Sequence, residues 1–106
     1  MQLTIRVTNH CYLAMELDRL VVECAFPDTA PRLLHLRRTT IPRARTVTIV
    51  LREALTLPQA AAIARHGERP ISVEISAEFN SDTHDLSVST RRSLTFKPHL
   101  ADARAG

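Results

Sequence analysis

The chain has 106 residues, 44% of them apolar and 24% charged, with two glycines and a formal net charge of +3. That length allows one domain able to bury about two-thirds of its unfolded surface without metal or disulfide support. The glycine count excludes a fibrous or glycine-rich flexible chain, and no apolar run approaches the ~20 residues of a membrane-spanning helix.

Period-two alternation dominates and predicts strands. Leu3, Ile5 and Val7 alternate with Thr4, Arg6 and Thr8. Leu13, Met15 and Leu17 form a second set, and Leu20, Val22, Cys24 and Phe26 a third, ending at Pro27-Asp28. The apolar face is odd-numbered up to Leu17 and even-numbered from Leu20. A two-residue turn at Leu17-Asp18 accounts for the switch and sets Cys11 against Cys24, within reach of a disulfide; a turn at Asp18-Arg19 sets Cys11 against Phe26 instead. The alternative for the two cysteines is that both are reduced, buried small hydrophobes.

Leu34 and Leu36 predict a short strand, and Arg37-Arg38-Thr39-Thr40 leads into Ile41-Pro42. Val47, Ile49 and Leu51, interleaved with Thr46 and Thr48, predict another strand. Residues 58–66 break the pattern. Pro58 in the first turn, an alanine-rich middle and Gly67 as a C-terminal cap predict a short helix, with Leu57 and Ile63 as its anchors on the sheets. Ile71, Val73, Ile75, Ala77 and Phe79 then alternate with Ser72, Glu74, Ser76 and Glu78. A polar turn, Asn80–Asp85, leads into Leu86, Val88 and Thr90, then Arg91-Arg92 and Leu94-Thr95-Phe96.

About seven short strands and one helix near 58–66 predict an all-β fold: an antiparallel two-sheet sandwich of the immunoglobulin or fibronectin III kind over residues 1–96. One helix cannot cover both faces of a parallel sheet. Residues 97–106 lack apolar periodicity and are expected to be a disordered tail.

No catalytic, metal or cofactor site is expected. His10, His35, His66, His84 and His99 are scattered, with no HxH or HExxH pair, and no Walker loop, GxGxxG or GxSxG occurs. His84-Asp85 falls in a polar turn with no nucleophile motif beside it. Glu74 and Glu78 share a strand face that reads as solvated. Of the fourteen basic residues thirteen are Arg, which with abundant Ala fits the codon usage of a GC-rich bacterial genome. Arg37, Arg38, Arg43 and Arg45, flanking Ile41-Pro42, form the candidate partner-binding loop for a protein or an anionic membrane surface; the bland reading is a solvated connection. Nucleic acid fits less well: three Phe, one Tyr and no Trp make no stacking platform, and the helix carries a single Arg.

The run Leu3-Thr-Ile-Arg-Val-Thr-Asn9 resembles the opening strand of the late-embryogenesis-abundant group 2, or water stress and hypersensitive response (WHy), domain, which ends in Asn-Pro where this chain has Asn9-His10. Thr39-Thr-Ile-Pro-Arg-Ala-Arg-Thr46 leading into Val47–Leu51 resembles that family's proline, linker and alternating strand. The resemblance implies a fibronectin III-like sandwich and a non-enzymatic, stress-protective role, in many members tethered to membranes. It transfers one position, Asn9, as a structural residue bonding backbone at a strand break. A module working by surface contact is therefore expected. A structural or assembly protein oligomerising by edge-strand pairing is the alternative, and a small enzyme completed by another chain the third. The start of the chain lacks the apolar core of a signal peptide, which implies the cytoplasm if the chain is complete and the envelope if a leading segment was removed.

Overall fold

The computed structural model describes residues 1–81 and 84–95. These residues form seven strands in two antiparallel sheets and one helix: β1 (Gln2–Thr8), β2 (Met15–Ala25), β3 (Arg32–His35), β4 (Thr39–Ile41), β5 (Thr46–Arg52), α1 (Leu57–His66), β6 (Ile71–Asn80) and β7 (Asp85–Leu94). The fold is all-β with a single short helix, as the alternation predicts.

The small sheet is β1 paired with β5, Gln2 opposite Arg52 through Thr8 opposite Thr46. The terminal amine and carbonyl of Met1 extend this ladder to the backbone of Glu53. The large sheet runs β3-β2-β6-β7, with β4 sharing the β3 side of β2. Their facing sides meet in one core. It joins Leu17, Leu20, Val22 and Cys24 of β2, Leu33 of β3, Ile41 of β4, Ile49 and Leu51 of β5, and Ile71, Val73 and Ala77 of β6. Leu3, Ile5 and Val7 of β1 pack against it half-buried.

The phase switch between Leu17 and Leu20 is not a hairpin turn, which corrects both predicted registers. β2 is one continuous strand in which Leu17 opposes Phe79 and Arg19 opposes Glu78, leaving Asp18 as an extra, bulged residue. A bulge and a tight turn produce the same flip in alternation. A two-residue turn wants Gly or Asn at positive φ, which Leu17-Asp18 does not supply, and the ten residues of β6 are long enough to pair with both halves of β2. Leu13, expected on the apolar face, lies before the strand and is exposed, as is Tyr12.

The inward residue of β3 is Leu33, and Leu34 and Leu36 are exposed, the reverse of the predicted face. Thr39–Ile41 forms the short strand β4, so the count of seven survives the merger of the predicted first hairpin into β2. Helix α1 starts one residue earlier than predicted. Thr56 Oγ1 accepts from the Gln59 amide and Gln59 Oε1 accepts from the Thr56 amide, a reciprocal capping box. Gly67, at φ 69°, ends the helix with its amide donating to Ile63 and Ala64 carbonyls. Ala62 and Ile63 dock the helix on the core, while Leu57, the other expected anchor, is exposed. His66 meets Phe26 edge-to-face with ring centroids 5.4 Å apart.

The polar turn between β6 and β7 is shorter than predicted, since Asn80 and Asp85 already face each other in the sheet. Phe96 and the predicted tail, 97–106, lie outside the described residues.

Candidate functional site

The four arginines of the candidate loop do not converge. Arg37 and Arg38 occupy the link between β3 and β4, which passes the bulge in β2. Arg38 Nε donates to Asp18 Oδ1 at 3.2 Å and lies 3.4 Å from Glu16 Oε2, so its charge is matched by two carboxylates of β2. The bulged Asp18 thus gives the link an anchor, and Arg38 acts as a clamp within the fold. Arg37 has no ion pair among the described residues, and its carbonyl accepts from Thr39 Oγ1. With His35, Thr39, Thr48 and Val50, these two arginines line a shallow groove of about 410 Å³. His35 Nε2 and Thr39 Oγ1 bond to each other at 2.9 Å.

Arg43 and Arg45 belong to the next turn and are exposed, outside that groove. The Arg45 amide donates to the Pro42 carbonyl, closing a β-turn with Ala44 at φ 55°. The turn exists because the chain must pass from β4 in the large sheet to β5 in the small one.

Asn9 knots the two sheets together where β1 ends. Its amide donates to Arg45 O at 2.9 Å and its Oδ1 accepts from the Cys11 amide at 2.8 Å. Nδ2 donates to Leu13 O at 2.8 Å and to Ile41 O at 3.1 Å. Asn9 is 5% exposed, the sole buried polar residue among those described. Every hydrogen-bonding group of the side chain is used, as burial of an amide requires.

The cysteines are both free. Cys11 is exposed in the loop before β2 and Cys24 is buried in β2, so the register that would bridge them does not form; the reduced alternative holds for both, and the burial it expected holds for Cys24 and not for Cys11. Burial, with Glu23 adding a smaller repulsion, pushes the Cys24 thiol up to about 11. His10 is exposed, His66 Nε2 bonds the Arg69 carbonyl, and the His84 amide donates to Ser81 Oγ; no group of three or more metal-binding side chains forms among the described residues. His99 lies outside them. Glu74 and Glu78 sit on the outer face of the large sheet, opposite Arg91 and Ser87 of β7, in a shallow groove where Arg19, Arg32 and Glu23 interleave the two signs.

The most conspicuous surface is one that sequence patterning did not single out. Among the described residues β7 pairs with β6 alone, leaving its second edge open. Pairing places Leu86, Val88, Thr90, Arg92 and Leu94 on the core side, opposite Phe79, Ala77, Ile75, Val73 and Ile71. Yet Leu86 is 49% and Val88 42% exposed, and of β7 only Leu94 packs against the core. The small sheet explains this: β5 lies over β3, away from the β7 side. Compared with protein-family models, curated proteins and solved structures, the chain matches none of them.

Proposed function

We propose that this chain is a non-catalytic contact module whose working surface is the open edge of β7 with its adjoining apolar strip. One observation carries the reading: β7 runs from Asp85 to Leu94 with one edge unpaired among the described residues and with Leu86 and Val88 uncovered on the core side. Natural sheets blunt such edges with charged side chains, prolines or bulges, and β7 keeps its charges, Asp85, Arg91 and the core-side Arg92, toward its ends. Between Asp85 and Arg91 this strand reads Leu-Ser-Val-Ser-Thr and has none of them, and its pairing with β6 is unbroken. An extended segment added here gains main-chain hydrogen bonds along the edge and apolar contact on one face. The resemblance to WHy domains supports a non-enzymatic role of this kind, stress-protective or membrane-associated.

A photo-crosslinking residue at Val88, expressed in the native host, is expected to give defined adducts mapped by mass spectrometry. The same residue at Val50, exposed on the small sheet, serves as the control. Adducts at Val88 no more abundant than at Val50 would refute the reading.

A further inference from the structure

The contact reading leaves open what pairs with β7, and the strand itself supplies an answer that rests on that reading. We infer that β7 pairs antiparallel with β7 of a second copy, about a twofold axis at Val88, joining two large sheets into one.

For the core faces of two copies to continue into each other, directly opposed residues must come from the same side of the sheet. Only registers in which even positions oppose even ones achieve this. Every other register sets the apolar face of one copy beside the solvent face of the next. Among the permitted registers, a twofold at Val88 opposes Val88 to Val88, Leu86 to Thr90, Ser87 to Ser89 and Asp85 to Arg91 of the second copy. By symmetry the Asp–Arg pairing occurs twice. The two side chains lie on the outer face, where Arg91 already has Glu74 across from it in β6. In the dimer each Arg91 is flanked by Glu74 of its own chain and Asp85 of the second copy.

Neighbouring registers lose this match. A twofold at Ser89 opposes Leu86 to Arg92 and leaves Asp85 facing Ser93. A twofold at Ser87 opposes Asp85 to Ser89 and carries Arg91 past the end of the strand. The Val88 register thus combines apolar continuity on the inner face with charge complementarity on the outer one. It is isologous and closed, so pairing stops at a dimer and does not propagate.

The test uses the full chain in sedimentation equilibrium up to about 500 µM, a range suited to the weak association expected of a small interface. Wild-type protein is expected to dimerise reversibly. Asp85→Arg opposes two positive charges at each of the symmetric pairings across the twofold, and Arg91→Asp opposes two negative ones; each is expected to weaken self-association about tenfold or more. Mixing the two variants in equal amounts restores opposite charges at both pairings and is expected to return dimerisation to within about threefold of wild type. This recovery separates pairing from misfolding, since it requires two folded chains in the stated register.

A wild-type monomer throughout the range overturns the proposal. So does undiminished dimerisation by either variant, or a mixture no better than its components. Val88 adducts with a different protein, together with a wild-type monomer, refute self-pairing and leave the contact role standing. Absence of Val88-specific adducts refutes the contact role itself.

Discussion

Replacing Asn9 with alanine removes the side chain that ties the end of β1 to the loop before β2 and to β4. Three groups lose their partner: the Cys11 amide and the carbonyls of Leu13 and Ile41. A hydrogen bond contributes about 1 kcal/mol net, and a buried group left unpaired costs about 1–3 kcal/mol. The bond to Ile41 is fully buried and the other two partly so, giving a loss of about 3 kcal/mol in total. For a domain whose stability is about 5–15 kcal/mol, that is a large share. In urea denaturation followed by circular dichroism, the midpoint is expected to fall by about 1.5 M at a slope of about 2 kcal/mol/M. Asn9→Asp sharpens the test. It keeps the acceptor for Cys11 but sets a carboxylate oxygen against two carbonyls, so at pH 7 it is expected to be less stable than the alanine variant. That repulsion raises the folded-state pKa of the new carboxyl above its unfolded value. The neutral acid is therefore favoured in the folded chain, and part of the loss is recovered as pH falls through the folded pKa. A cost below about 1 kcal/mol for alanine, or an aspartate variant as stable as wild type at neutral pH, would refute this account of Asn9.

Two further predictions test the bulge and the buried thiol. Deleting Asp18 removes the one residue that β6 leaves unmatched, so Leu17 and Leu20 keep their inward faces; the deletion is expected to fold, with a loss of about 2 kcal/mol or less for the lost Arg38 contact and local adjustment of the β3–β4 link. Deleting Val21 reverses the faces on one side and is expected to abolish cooperative thermal unfolding, and equal behaviour of the two deletions would disprove the bulge. For Cys24, the folded thiol titrates near 11 and the unfolded one near 9, so its contribution is intact below pH 9 and is lost as pH rises toward 11. The stability gap between wild type and Cys24→Ala is accordingly expected to narrow across that window, by about 2–3 kcal/mol at most, and a gap constant from pH 8 to 11 would contradict it.

Strands with one clean phase were legible in the sequence because the pattern itself fixes which face is buried: β1, β5 and β6 follow their alternating residues. Helix α1 was legible from its proline and glycine, though the capping pair Thr56 and Gln59 passed unremarked. Legibility ended where phase was ambiguous. The flip around Asp18 is compatible with a turn or a bulge, and only the long-range partner β6 decides. Leu33, Leu34 and Leu36 crowd too closely to define a face without β2 beside them. The same holds for surface chemistry. Arg38 reads as a free cation until β2 brings Glu16 and Asp18 to it. β7 reads as an ordinary strand, because edge position depends on sheet order, which local residues do not encode.

The sheet order has a kinetic consequence. β2 lies early in the chain, yet its central pairing is with β6, and nearly half of the sequence separates the two. On synthesis, β2 can acquire β3 and β4 while its other edge waits for the β6–β7 hairpin to emerge. Pairing of such high sequence separation slows folding and exposes strand edges meanwhile. Docking of that hairpin on β2 is accordingly expected to limit refolding, so that substitutions at Leu20 or Ala77, opposed across this junction, should slow folding more than they speed unfolding.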